Sequence, residues 1–111
     1  MWMVTNRGFF SIVDKGDRED FLCVRGRVRE DMEGLLSLGP LEAYAGELKE
    51  SDLGDYRYRV YVSRDDWIMA AALLAEEIDY PNFKDEVGKR QGYKRASLYM
   101  RVWTTLFGLQ R

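Results

Sequence analysis

Apolar and polar side chains alternate along several stretches of the chain, the pattern of strands with one buried face. Residues 9–13 are aromatic and β-branched, and a polar, Gly-containing turn over 14–20 leads to a second apolar stretch over 21–28. These two stretches predict a hairpin. Residues 56–62 alternate clearly, whereas 41–49 alternate among helix-favouring Ala and Glu residues. We predict strands over all four stretches, with 41–49 at a sheet edge.

Elsewhere the apolar positions recur at helical spacing. The first helix ends at the Gly39-Pro40 pair, which breaks helices, and Ser63 is placed as the N-cap of the second. The second helix ends before Pro81, because the residue before a proline is pushed out of helical geometry. Asn82 is a plausible N-cap for the third helix. The predicted helices cover 29–38, 64–79, 82–89 and the residues from Tyr93 onward.

The element order is therefore β-β-α-β-β-α-α. This order predicts an α+β two-layer sandwich of the ferredoxin-like type, with an antiparallel sheet and helices on one face. A chain of 111 residues with no internal repeat and no linker is expected to form one domain over 1–111.

Composition narrows the possible chemistry. Hydrophobic residues make up 46% of the chain and charged residues 32%, with a net charge of −2, as in an ordinary folded protein. The chain has no His and one Cys, which excludes His-based catalysis, His-ligated metals and internal disulfides. We expect no cofactor and no metal. The longest apolar run, 67–75, is too short to cross a membrane, and the first residues lack signal-peptide character, so a cytoplasmic protein is expected.

The predicted strands place several arginines on the sheet surface that faces away from the core, which we call the arginine face. Arg presents a planar fork of donors suited to phosphate or carboxylate, and neighbouring aromatic rings offer stacking surfaces. The alternative is a solvated face whose cations are paired locally. Cys23 belongs to this face, where cations are expected to lower its pKa. The candidate ligand-binding residues here are Arg25, Arg27, Arg57, Arg59 and Tyr61, with Phe21 beside them.

A second basic cluster surrounds the start of the predicted last helix. It consists of Lys89, Arg90, Lys94 and Arg95. Free N–H groups and the helix dipole at a helix start favour an anion, so a phosphate is one expected occupant. Asp85 and Glu86, one turn upstream, are the alternative partners for these cations.

The last helix is apolar over more than a third of its circumference. One small sheet is not expected to cover this much apolar surface, and a homodimer interface is as plausible as a plain core. The candidate interface residues are Trp2, Met100, Trp103 and Phe107.

Two segments carry a likeness to other proteins. The first includes Trp2 and Thr5 and the run Gly8-Phe9-Phe10-Ser11-Ile12-Val13; the second runs from Ile78-Asp79-Tyr80-Pro81-Asn82-Phe83-Lys84 through Arg90-Gln91-Gly92 to Val102-Trp103. Together they resemble a group of short bacterial proteins with no assigned activity. In that group His residues often occupy the positions of Tyr93 and Met100. The resemblance implies a bacterial or phage cytoplasmic protein and no mechanism.

Three functions remain open. The first is a non-enzymatic binding module that meets an anionic or protein partner through the arginine face or the basic helix start, because no nucleophile–base pair is present. The second is an enzyme or a nucleotide- or phosphometabolite-binding protein. The third is a nucleic-acid binder without sequence preference.

Overall fold

The computed structural model describes residues 1–110, which divide into two compact units. The first unit is Met1–Ile78 and the second begins at Asp79. A single domain over 1–111 stays a prediction.

The first unit contains a five-stranded antiparallel sheet. The strands run in the spatial order β1-β2-β3-β5-β4, and all neighbours are antiparallel. Their bounds are β1 Trp2–Thr5, β2 Gly8–Val13, β3 Phe21–Gly26, β4 Lys49–Glu50 and β5 Tyr58–Ser63.

Two helices, α1 (Arg29–Leu36) and α2 (Arg64–Glu76), pack on one side of this sheet. Ser63 caps α2 as expected, because its hydroxyl accepts the backbone N–H of Asp66 at 3.1 Å. The core lies between sheet and helices, and its members are almost fully shielded from solvent. They include Phe10, Ile12, Val24, Val60 and Val62 from the strands and Met32, Leu35, Trp67 and Ala70 from the helices.

Strand β1 is absent from the sequence prediction. It joins β2 through a two-residue turn, with Thr5 opposite Gly8. Gly8 has a φ of 149°, and a Cβ built on it would stand 2.3 Å from Cγ of the buried Asp31. The Asp31 carboxylate accepts the N–H of Phe9 at 3.2 Å, so α1 is held against the hairpin where only glycine fits.

The predicted edge strand over 41–49 is wrong. A 3-10 helix occupies Gly39–Glu47, and only Lys49–Glu50 pairs with β5. Pro40 lies at the start of this helix, where its fixed φ is favourable, and Ala and Glu also favour helical backbone. Leu41 is buried and Tyr44, three residues later, is half-buried, as the three-residue turn of a 3-10 helix requires.

The second unit is a helical hairpin. Helix α3 covers Phe83–Gln91 and α4 covers Tyr93–Leu106, followed by a 3-10 turn over Phe107–Gln110. Asn82 caps α3 as predicted, accepting the N–H of Asp85 at 3.0 Å. Gly92 joins the helices with a φ of 92°, a conformation that favours glycine.

The predicted class, α+β with an antiparallel sheet layered against helices, is confirmed. Within residues 1–110 no helix is long and apolar enough to span a membrane.

Candidate anion-binding face

The arginine face forms on the side of the sheet opposite α1 and α2. Arg25 on β3 and Arg59 on β5 stand directly opposite each other in the antiparallel register. Directly opposed side chains in such a pair have Cβ atoms only about 4.5–5.5 Å apart, and like charges there repel. The register therefore places two Arg residues side by side on neighbouring strands, where their like charges disfavour the folded state.

The partners of these two guanidinium groups are few. Nη2 of Arg25 donates to Oγ of Ser11 at 2.7 Å, and Nη2 of Arg59 donates to the backbone oxygen of Tyr56 at 3.4 Å. The Nε atoms of both arginines are buried and have no hydrogen-bond partner among the described residues. Unsatisfied buried donors are rare in native proteins, and each one calls for an explanation.

Tyr56 contacts two of the arginines in the middle of the arginine face. The guanidinium carbons of Arg25 and Arg27 lie 4.6 and 4.5 Å from the centre of its ring. Nε of Arg27 also donates to the backbone oxygen of Asp55 at 3.1 Å. The alternation over 56–62 predicts that Tyr56 is buried, which is confirmed, but its ring packs against the arginines because β5 begins only at Tyr58.

A fourth guanidinium lies at the other end of the face and comes from the turn between β2 and β3. The guanidinium carbon of Arg18 lies 3.8 Å from the ring centre of Phe21 and 5.9 Å from that of Tyr61. The Tyr61 hydroxyl donates to the Asp17 carboxylate at 2.7 Å, and this hydrogen bond is the main cause that raises the pKa of Tyr61 to about 12. Tyr61 is thus a neutral, oriented ring at physiological pH.

None of these four guanidinium groups has a carboxylate within 4.0 Å among residues 1–110. Six ion pairs occur elsewhere in that part of the chain, so acidic side chains are not scarce. The unpaired set is Arg18, Arg25, Arg27 and Arg59. Local ion pairing does not account for these four arginines, of which Arg18 and Arg27 are exposed to solvent.

Arg57 does not share the arrangement of the other three predicted arginines. Its guanidinium lies 3.1 Å from Glu50 and 3.5 Å from Asp52. The Glu50 carboxylate also accepts the Tyr58 hydroxyl at 2.9 Å, and that hydrogen bond, followed by the charges of Arg57 and Arg29, lowers the pKa of Glu50. Arg57 precedes β5, so the strand alternation does not place it on the arginine face.

Cys23 lies opposite Tyr61 beneath the arginine face and is fully buried. The expectation of a lowered thiol pKa is wrong. Burial raises the pKa of Cys23, and the opposing effect of Arg59 and Arg25 is smaller. A buried thiol held in its neutral form is a packing residue and a poor nucleophile.

The second basic cluster is divided between two helices. Lys89 and Arg90 lie in the last turn of α3, where cations complement the helix dipole, and not at a helix start. Arg90 pairs with Glu86 at 3.1 Å, the upstream partner expected. Arg95 donates to Gln91 at 3.2 Å and to the Tyr99 hydroxyl at 3.1 Å, and Lys94 is exposed beside it in the first turn of α4.

The candidate interface residues belong to different units. Trp2 is 76% exposed on β1 and packs edge to face on Phe9, with ring centres 6.0 Å apart. On α4, Trp103 is 62% exposed and stacks on Phe107 at 5.6 Å. A groove of about 540 Å³ between α3 and α4 is lined by Met100 together with Lys84, Asp85, Gly88, Lys89, Tyr93, Ala96 and Ser97.

Models of protein families, curated proteins and solved structures give no match to this chain. The chemistry of its own side chains therefore carries any functional conclusion. Within residues 1–110 no group of three or more acidic or thiol side chains is arranged to hold a metal ion. The sequence pattern did not assign five further residues to the arginine face: Phe9, Ser11, Arg18, Lys49 and the buried Tyr56.

Proposed function

We propose that this chain is a non-enzymatic binding module that takes an anionic partner on the arginine face. The observation that carries the proposal is the set of four guanidinium groups without a carboxylate partner, two of which bury an unsatisfied Nε. An anion bound between Arg25 and Arg59 relieves their repulsion and accepts their free donors. The cost that the fold carries in the unbound state then becomes binding energy.

The absence of an activated nucleophile at this face favours binding over catalysis. Cys23 is the only Cys of the chain, and it is buried and has a raised pKa. Tyr61 has a pKa of about 12, too high for a general base at neutral pH. The likeness to short bacterial proteins and the free thiol lead us to place this module in a bacterial or phage cytoplasm.

Retention on immobilised heparin, a sulfated polyanion, tests the proposal. The test variant is Arg25→Gln/Arg59→Gln, and the matched control is Arg57→Gln/Arg64→Gln. Both double variants remove two positive charges, but Arg57 and Arg64 already have carboxylate partners. We expect the wild type and the control to elute at similar salt concentrations and the test variant to elute much earlier. Equal elution of the two variants contradicts the proposal.

Thermal shift against a panel of nucleotides and phosphorylated metabolites separates this module from the alternative small-molecule protein. A ligand at 100 times its Kd stabilises the folded state by roughly 2.7 kcal/mol. A shift of that size that persists in Arg25→Gln/Arg59→Gln identifies a different, small-molecule site and favours the enzyme or metabolite-binding alternative. A shift that the variant abolishes identifies the small anion that the arginine face prefers.

A further inference from the structure

We infer that the anionic partner of the arginine face is single-stranded nucleic acid; this inference rests on the proposed function and deepens it. Its basis is a row of aligned residues that crosses all five strands. The register places side chains opposite one another in the order Trp2, Ser11, Arg25, Arg59 and Lys49. With neighbouring strands about 4.8 Å apart, this row is roughly 19 Å long.

Positive charge occupies one end of this row and an aromatic ring the other. Arg25, Arg59 and Lys49 are consecutive and have no carboxylate within 4.0 Å among the described residues. Ser11 separates them from Trp2 and orients Arg25 through its hydroxyl. A ligand that spans the row needs several negative charges along an extended backbone, as successive phosphates provide.

Aromatic side chains extend along the row on both sides. Phe9 lies on one side, with its ring centre 6.4 Å from that of the buried Tyr56, and Tyr61 and Phe21 lie on the other. Trp2 is the most exposed of these rings, with three-quarters of its surface accessible to solvent, and it packs edge to face on Phe9. Unpaired bases stack on rings of this kind while the backbone follows neighbouring cations.

The exposed Trp2, at the opposite end of the row from the cations, decides between possible anions. A free phosphate or an acidic peptide uses the arginines and leaves this ring without a role. A duplex satisfies the arginines through its phosphates, but its bases are already stacked and cannot reach the ring. Only unpaired bases on a polyphosphate backbone engage both ends of the row.

Fluorescence anisotropy of a labelled 15-nucleotide oligo(dT) tests this inference. The central variant is Trp2→Leu, and its matched control is Trp103→Leu, since both side chains are more than half exposed and both substitutions leave the charge unchanged. Loss of one stacking platform is expected to weaken binding by roughly fivefold to a hundredfold. The control is expected to stay within twofold of the wild type.

Salt dependence supplies an independent readout. Each phosphate contact on a single strand contributes a slope of about −0.7 to the plot of log affinity against log salt concentration. Arg59→Gln is expected to flatten the wild-type slope by about that amount. Arg57→Gln, which removes an ion-paired arginine, is expected to leave the slope unchanged.

Four outcomes overturn the inference. They are equal binding of Trp2→Leu and Trp103→Leu, equal affinity for a 15-base-pair duplex, preference for poly-glutamate over oligo(dT), and no oligo(dT) binding at all. If heparin retention still depends on Arg25 and Arg59 in any of these cases, the anion-binding module stands and only the nucleic-acid partner is wrong. If heparin retention is independent of both arginines, the proposed function falls as well. Circular dichroism is the control that checks whether each variant is folded.

Discussion

Replacing Arg59 by methionine is expected to stabilise the unbound protein. Methionine keeps a long, flexible side chain against the sheet but removes the positive charge at the position opposite Arg25. The substitution ends a like-charge cross-strand pair, whose repulsion is worth about 0.2–1 kcal/mol. It also removes a buried Nε without a partner, whose desolvation costs roughly 1–3 kcal/mol. Among residues 1–110, the one hydrogen bond that the substitution removes is the 3.4 Å contact to the Tyr56 carbonyl.

Because part of the Arg59 side chain is open to solvent, we take the lower half of this range, a gain of about 1–2 kcal/mol. With a urea m-value of about 2 kcal/mol/M, the unfolding midpoint is expected to rise by roughly 0.5–1 M. Tryptophan fluorescence is a suitable probe, because Trp67 is buried in the core whereas Trp2 and Trp103 are already exposed. Raising the salt concentration should reduce the gain, since it screens the charge repulsion.

Arg7→Met is the control for this reasoning. Arg7 is bound to the Glu77 carboxylate at 2.7 and 3.0 Å, to the Ser37 hydroxyl at 3.1 Å and to the Gly34 carbonyl. Its loss is expected to destabilise the fold by about 2 kcal/mol, because charged hydrogen bonds are broken. If Arg59→Met lowers the midpoint in the absence of any anion, the unbound arginine face is not under strain and the reasoning fails.

Three further predictions concern other parts of the molecule. Gly8→Ala is expected to lower the free energy of unfolding by at least about 2 kcal/mol, because the new Cβ meets Asp31 at a positive φ. The melting temperature should then fall by roughly 8 °C or more, and an unchanged melting temperature contradicts this prediction. Because the pKa of Glu50 is lowered in the folded state, the wild type should be more stable than Glu50→Gln at neutral pH. This difference in the free energy of unfolding should disappear as the pH falls through the pKa of folded Glu50, and a difference that persists in acid refutes the prediction. If α4 forms a homodimer interface, light scattering should give about twice the mass of 13.0 kDa for wild type and the monomer mass for Trp103→Asp; a monomeric wild type ends the dimer hypothesis.

Local alternation was enough to predict which residues of β3 face the helices. Leu22 and Val24 are in the core, and Arg25 is on the opposite face, as the two-residue period requires. The same rule predicts a buried Tyr56, which is confirmed, but it does not describe Arg57, which precedes β5 and pairs with Glu50 and Asp52. Where a strand begins depends on its partners, which alternation does not reveal.

The row from Trp2 to Lys49 was beyond prediction for a related reason. Its alignment depends on the register of four strand pairs, and each register is fixed by a turn or by non-local pairing. Arg18 was missed because it lies in a turn, where the backbone passes through a positive φ at Asp20 before β3 begins. A sequence pattern identifies which residue types such a site contains more easily than it identifies which of them lie close together in the folded chain.

The 3-10 helix over Gly39–Glu47 has a consequence for aggregation. The Tyr44 hydroxyl accepts the N–H of Ser63 at 3.2 Å and donates to the Asp66 carboxylate at 2.6 Å, so a side chain satisfies an edge donor of β5 that the two-residue β4 does not reach. An edge strand at this place would have offered its own unpaired backbone to the next molecule. The helix instead covers the part of the β5 edge that β4 leaves open, so this edge offers fewer backbone groups for pairing with another molecule.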